Sequence, residues 1–476
     1  MTGTDVSTAT ATLPFHSIGE LSVLIATRQI SPVDVVTTLL SRIERLNSTL
    51  ASYITVCAAE AVAAARAAER DIIHGKYRGP LHGIPIAYKD IIWTKGVRTT
   101  AHSRALADFV PAEDATHVHR LSAAGMILIG KTNTGEFACG TSELFGNPRN
   151  PWSLNHYTGG SSNGSANAVA AGLAVAATGT DTGGSVRVPA SFCGVVGLKP
   201  TFGRVSRHGI IPLSWTMDHV GTLTRTVDDA ALMLTAMSGY DPLDPSSATV
   251  PVPDFRAGLE RGIRGLTVGI PREHYFDGLH PDVERAVHAA LDVLRAEGVQ
   301  VVPVHLPRAG DLAAAAPLMY RAEAYVLHAE RLRRRAADYG RRARQKICSG
   351  AFFTAAEYHQ AAQLRRLWCD ELRSVLQYVD AIVTPTVPYP AFTLQLQEAG
   401  PPDTSWGTRQ FNMSGHPAIT VPCGFSGEHL PIGLQIAGRT FDELTILRLA
   451  HVYQKLTDWH TRRPRLDESL KDVTHD

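Results

Sequence analysis

Residues 157–190 read YTGGSSNGSANAVAAGLAVAATGTDTGGSVRVPA. Two glycine–serine clusters, 159–165 and 183–185, bracket an alanine-rich segment. Glycine lets backbone approach a ligand closely and adopt angles closed to other residues. Serine supplies a hydroxyl that attacks, or relays a proton, once a base lies beside it. Residues 166–177 are small and apolar, the composition of one tightly packed buried helix, which would bring the two clusters to one point. Gly/Ser runs are commonly flexible linkers, but a linker would not continue into Val186-Arg187-Val188-Pro189. The stretch reads as a hydrolase active site.

Two rival readings of the same residues are testable on sequence. A phosphate-binding loop requires a Gly-Lys-[Ser/Thr] ending, which is missing here. Gly160-Ser161-Ser162-Asn163-Gly164 fits G-x-S-x-G, which would make Ser162 the nucleophile of an elbow placed directly after a buried strand. Residues 151–158, with a proline and two turn-formers, make a poor strand, and the elbow reading is disfavoured.

Upstream, residues 81–92 form an apolar, strand-like run with Lys89 inside it. Such a lysine either reaches solvent from a strand edge or is buried, in which case desolvation leaves part of it neutral and able to act as a base. Residues 17–46 read as two helices, the second started by Ser31-Pro32, and residues 58–73 as another. Residues 114–125 suit a helix and 126–130 a buried strand. Downstream, strand 266–270, helix 281–297 closed by Gly298, and strand 299–304 form a βαβ signature, which argues for α/β architecture. Residues 312–378 are mostly helical, and the arginine run from Arg331 to Arg344 reads as a solvated face. Strand 381–384 leads into a proline-rich loop, 385–402. Strands 417–423 and 430–436 and helix 443–456 close the pattern.

The chain has 476 residues with 44% hydrophobic and 19% charged residues, ample for a large core. A formal net charge of +1 gives no general attraction to nucleic acid or to an anionic membrane. Six scattered cysteines without a C-x-x-C pair suit neither a disulfide framework nor a zinc cluster, and fit a reducing compartment. The first 14 residues lack the basic and apolar regions of a secretory signal, and no apolar run reaches membrane-spanning length. The expectation is a cytoplasmic protein without metal or cofactor. Nothing marks a linker, so one domain over 1–476 is expected, its catalytic core at about 75–225 and a helical, substrate-shaping segment at about 310–378.

With Lys89, Ser161 and Ser185 in place, the chain resembles the amidase signature family over nearly its whole length. The resemblance is carried by GIPIAYKD (83–90), DATHVHRLSAAGMILIGKTN (114–133), NPRNPW (147–152), GGSSNGSA (159–166), TDTGGSVRVPASFCGVVGLKPT (180–201), PAITVPCGF (417–425) and LPIGLQIAG (430–438). It implies an α/β fold with a large twisted mixed β-sheet core and helices on both faces. It also implies a Ser–cis-Ser–Lys triad with Ser185 as nucleophile, Ser161 as the bridging serine after a cis peptide bond, and Lys89 as base. Ser162 would support this network, and Asp181 and Arg187 would pair across the loop. The backbone N–H groups of Thr182, Gly183, Gly184 and Ser185 would form the oxyanion hole. Asn163 stands where the family usually has glycine; asparagine tolerates left-handed backbone angles.

Such a triad transfers an acyl group to water and leaves the substrate open. Trp93, Phe137, Phe145, Leu213, Trp215, Met413 and His416 are the residues expected to shape the pocket, favouring an apolar or aryl amide, carbamate or ester as the small-molecule partner. Arg204, Arg207 and Arg409 are the arginines available to a carboxylate-bearing substrate. A homodimer is the assembly considered, although no self-complementary patch is legible. The alternative is the glutaminase subunit of a tRNA-dependent amidotransferase, in which an aspartate reads the glutamine amine. Aligning Asn412-Met413-Ser414-Gly415 with that subgroup's motif puts Ser405 in the aspartate's place, with Asp403 close by. A non-catalytic subunit of the same fold is the remote alternative, and the intact Lys89, Ser161 and Ser185 speak against it.

Overall fold

A computed structural model describes residues 12–140 and 144–466. Most of the reading of the first 14 residues therefore falls outside the described part. Strands follow in chain order as β1 (Tyr53–Val56), β2 (Pro85–Lys89), β3 (Ile127–Thr132), β4 (Arg149–Asn150), β5 (Ser153–Tyr157), β6 (Ala176–Asp181), β7 (Val196–Lys199), β8 (His219–Thr224), β9 (Thr267–Pro271), β10 (Gln300–Val304), β11 (Ala381–Pro385), β12 (Ala418–Phe425) and β13 (Pro431–Gly438). Eleven of them form one sheet in the order β1-β3-β2-β6-β8-β7-β12-β13-β11-β9-β10. The sheet is mixed: β2 runs parallel to β3 and β6, and β9 parallel to β10 and β11. The β6–β8–β7–β12–β13–β11 pairs are antiparallel.

Central strands are buried on both faces, so they read as continuous runs of small and β-branched residues rather than alternating ones. That is why β6 is hard to separate from the helix before it. The expected helix over 166–177 is instead a helix at Asn163–Ala170 followed by β6. Gly172, at φ +66°, turns the chain out of the helix, and Ala176 and Ala177 belong to the strand.

Helices cover the sheet on both sides. A Cβ added to Gly433 would press on Ser191 of the Arg187–Cys193 helix, and one added to Gly438 on Ile446 of the Glu443–Leu456 helix. These glycines lie five positions apart on β13, hence on opposite faces. The predicted cap at Ser31 is present as a capping box with Asp34. A second apolar cluster, with Trp368, Tyr275, Phe411 and Met413 at its centre, seats the helices Leu312–Arg335 and Ala355–Val375. The proline-rich loop also departs from expectation, since a short helix forms at Leu394–Ala399. Among the described residues, no helix is long and apolar enough to cross a membrane.

Candidate active site

β2 and β6 run parallel, so Lys89 at the end of β2 and Asp181 at the end of β6 emerge at the same edge. Ligand sites in open α/β sheets lie beyond such carboxyl ends. Every residue of β2 is buried, and Lys89 is 0% exposed. The solvent-reaching reading of this lysine is therefore wrong. Its Nζ donates to the Ser161 and Thr180 hydroxyls, each at 2.8 Å. Burial pulls the amine down to about 7, against the opposing carboxylates of Asp218 and Asp181.

The Gly160–Ser161 peptide bond is cis. The Ser161 carbonyl accepts from the Gly135 N–H at 3.0 Å, and the Ser162 N–H donates to the Ser185 carbonyl at 3.0 Å. The two glycine–serine clusters are thus tied together through backbone. Ser162 is fully buried; its hydroxyl donates to the Thr180 carbonyl at 3.1 Å and accepts from the Thr180 N–H at 3.2 Å. Gly179 leaves the room for this, because a Cβ there would lie 2.5 Å from the Ser162 Oγ. A strand does precede this segment: β5 forms despite Pro151, but it pairs only with β4, outside the main sheet. With its hydroxyl held by backbone and no base beside it, Ser162 does not fit the elbow. Asn163 begins a helix, so its tolerance of left-handed angles is not used.

Asp181 organises the second cluster. Its carboxylate accepts from the Gly184 N–H at 2.7 Å, the Val186 N–H at 3.1 Å and the Arg187 guanidinium at 3.0 and 3.1 Å. Burial alone would raise its pKa; Arg187 outweighs that and holds it well below the usual carboxylate range. Arg187 continues to Gln435 at 2.7 Å and Asn412 at 2.6 Å. Gly184 sits at φ +126°, and a Cβ there would fall 2.2 Å from the Thr408 hydroxyl, which donates to the Gly183 carbonyl at 2.6 Å. Because the Gly184 N–H is committed to Asp181, it is not free for an oxyanion. That narrows the expected donors to Thr182, Gly183 and Ser185.

Ser161, Ser185, Thr182 and Gly183 line a cavity of about 440 Å³. Its wall differs from the expected one. Of the seven residues expected to shape it, only Leu213 lines it. Phe137 is buried against His328 and Tyr339, and Met413 lies in the second apolar cluster. Trp93 packs on Phe109 and His208, Phe145 on His102, and Trp215 is exposed. His416 is buried, its carbonyl accepting from Lys199. The three expected arginines are also engaged elsewhere: Arg204 with Glu443, Arg207 with Asp244, and Arg409 with Asp403.

The wall is mixed instead, with Tyr320, Arg342, Gln345, Lys346, Glu398 and Ser405 beside Ala138, Leu213, Ala399 and Pro401. Arg342 belongs to the arginine run read as a solvated face, yet it lines the cavity and donates to the carbonyls of Gln397 and Glu398. The helix that carries it, Arg341–Ser349, is tied to the serine side because Glu136 accepts from the Gly340 N–H at 2.8 Å. Sequence reading missed Thr180, Thr408, Gln435 and Asp218 as parts of this site. Thr180 and Gln435 lie inside the motifs quoted above and were accessible there. Asp218 carries no local signal.

A family model described as Amidase matches residues 34–447. The chain is 42% identical to the A subunit of the glutamyl-tRNA(Gln) amidotransferase of Geobacter metallireducens, over 94% of this chain and 98% of that protein. Among solved structures, it is similar to the native peptide amidase of Stenotrophomonas maltophilia: 32% identity, 95% of this chain and 98% of the other covered, TM-score 0.84. It is also similar to a chain of a vestigial protein complex bearing on the origins of an s-triazine catabolic enzyme, with 32% identity, 93% and 98% coverage and TM-score 0.88.

Proposed function

Because this chain belongs to the amidase signature family, we propose that it hydrolyses the C–N bond of a polar carboxamide through an acyl-enzyme on Ser185. The observation that carries the proposal is the wholly buried Lys89, bonded to Ser161 and, among the described residues, answered by hydroxyls alone. A neutral amine there takes the proton of Ser161 as Ser161 takes that of Ser185, whose oxygen bonds to the substrate carbonyl carbon. The oxyanion forms against the N–H groups of Thr182, Gly183 and Ser185. As the C–N bond breaks, the relayed proton passes to the leaving nitrogen. Water then attacks the ester by the same route in reverse. Removing one oxyanion donor from such a site typically costs about 2.7–4 kcal/mol of barrier.

The charged side chains on the cavity wall support a polar substrate over a purely apolar or aryl one. Lys346, with Arg342 beside it held on the carbonyls of Gln397 and Glu398, suits an acyl part that bears a carboxylate. The amidotransferase relatives support glutamine as that amide, with the chain acting beside partner subunits; this reading has more behind it than an uncharged aryl amide or carbamate. One observation favours a free-standing amidase as the second reading. Ser405, where the resemblance places the glutamine-reading aspartate, is what lines the cavity, while Asp403 pairs with Arg409.

The deciding experiment measures ammonia or amine release from glutamine, peptide amides, aryl amides and aryl carbamates by the wild type and by Ser185→Ala. The chain is assayed alone and co-expressed with amidotransferase partner subunits. Glutamine turnover lost in Ser185→Ala supports the amidotransferase reading. Turnover of other amides without glutamine turnover selects the free-standing amidase. Turnover that survives Ser185→Ala overturns the nucleophile assignment.

A further inference from the structure

The register of β6 and β8 pairs Thr180 with Val220 and Asp181 with His219. One step further along both strands, Thr182 faces Asp218, and its hydroxyl donates to the Asp218 Oδ1 at 2.6 Å. The other carboxylate oxygen accepts from the N–H groups of Leu213 at 2.8 Å and Ser214 at 2.9 Å. Asp218 is 5% exposed, and no lysine or arginine of the described residues lies within ion-pairing distance of it. This is a buried carboxylate held by neutral donors alone, one hydrogen bond from the loop that carries Ser185. The loop 213–218 is pinned from its far side by Glu323. That carboxylate accepts from the Ser214 hydroxyl at 2.5 Å, the Thr216 hydroxyl at 2.7 Å and the Tyr358 hydroxyl at 2.8 Å.

We propose that Asp218 is a positioning residue of the active site: it fixes the Ser185 loop through Thr182, and its uncovered negative charge acts on the amine of Lys89. The proposal rests on the reading of Ser185 as nucleophile and Lys89 as base. Lys89 faces two carboxylates, Asp218 and Asp181. Asp181 is matched by Arg187 at 3.0 Å, so its charge has a cation in contact. Asp218 faces Lys89 and Arg207, and burial raises its carboxyl above the usual carboxylate range. Both carboxylates favour a proton on Lys89 against the burial that expels it, and Asp218, with no cation in contact, does so the more strongly. The same side chain would set both the geometry of the nucleophile loop and the pH at which its base becomes available.

The two roles separate in a pH–rate profile. The readout is kcat/KM for the best amide of the preceding assay, together with the rate at which an organophosphorus serine reagent labels Ser185. Asp218→Asn keeps the shape and removes the charge; the acid limb moves to lower pH by on the order of one unit, and the plateau falls. Thr182→Val removes the tether and keeps the charge; the plateau falls and the limb stays. Arg207→Gln removes the facing cation and moves the limb slightly upward, a second measurement should Asp218→Asn not fold. An unmoved limb in folded Asp218→Asn, or in Arg207→Gln where Asp218→Asn does not fold, overturns the proposal, as does an equal displacement in Thr182→Val. Turnover that survives Ser185→Ala would overturn the underlying reading as well; loss of turnover there with an unmoved limb overturns this proposal alone.

Discussion

Lys89 and Lys131 sit on adjacent parallel strands, β2 and β3, and each is 0% exposed. Their surroundings differ in one respect. Lys131 ends 3.4 Å from the Asp90 carboxylate, with the Ile92 carbonyl at 2.7 Å and the Thr99 hydroxyl at 2.6 Å. Lys89 ends on the hydroxyls of Ser161 and Thr180, and the carboxylates that act on it, Asp218 and Asp181, make no ion pair with it. Burial lowers both amines; at Lys131 the carboxylate in contact opposes it and favours a structural cation, while Lys89, on hydroxyls, exchanges its proton near neutral pH. The pair shows that burial of a lysine says little about function until its acceptors are known.

The strongest test of that contrast replaces each lysine with methionine. Lys89→Met should lose on the order of 10³-fold in turnover while gaining a few kcal/mol of stability at pH 7. The sign follows from linkage. Between about 7 and the ordinary lysine value of 10.5, the unfolded wild-type chain binds a proton that the folded one lacks. Wild-type stability therefore rises with pH across that window, and the variant's lacks this slope. Lys131→Met leaves Asp90 buried without its cation and should cost about 3–5 kcal/mol of stability. Urea titrations at pH 7 and 9, beside the amide assay, measure both. A folded Lys131→Met without turnover, or an active Lys89→Met, would break the comparison.

The next effect is the acid limb itself. With Lys89 near 7, kcat/KM should fall about tenfold per pH unit below that value and level off above pH 8 or so. Lys131→Met should share this limb. A limb that moved with Lys131 would assign the base to the wrong strand.

The serine side of the site was legible in sequence because its parts lie in contiguous motifs. Lys89, Ser161 and Ser185 each sit in a short run whose glycines and strand character report local geometry. The wall facing them was not. Tyr320, Arg342, Lys346 and Ser405 come from helices and a loop that reach the cavity only through tertiary packing, and a helix of alternating charge looks the same whether one face meets water or a ligand. The aromatic residues misled in the opposite direction. Phe137 and Met413 are core because large apolar side chains are most often buried, and nothing local distinguishes a core wall from a cavity wall. The α/β class is legible in the βαβ pattern and the mixed sheet in the family resemblance, whereas the first two residues of β6, Ala176 and Ala177, read as helix because small residues buried on both faces carry no period.

The smallest expected effect probes one hydroxyl at each lysine. Thr180→Val removes an acceptor from Lys89 without altering backbone shape, since valine is the closest apolar match to threonine and suits a strand. The charged amine loses more from this than the neutral one, because the lost acceptor served the cation most strongly. The proton therefore leaves more easily, and the acid limb shifts to lower pH by a few tenths of a unit or more. Ser161 remains bonded to Lys89, so the plateau should fall only several-fold. Thr99→Val takes the equivalent hydroxyl from Lys131, where Asp90 and the Ile92 carbonyl remain. It should cost about 1 kcal/mol of stability and leave the limb in place. A paired pH profile and urea titration of the two variants distinguishes them. If Thr99→Val moved the limb as far as Thr180→Val, the two lysines would belong to one coupled network, and the contrast between their acceptors would not explain why only one of them is read as a base.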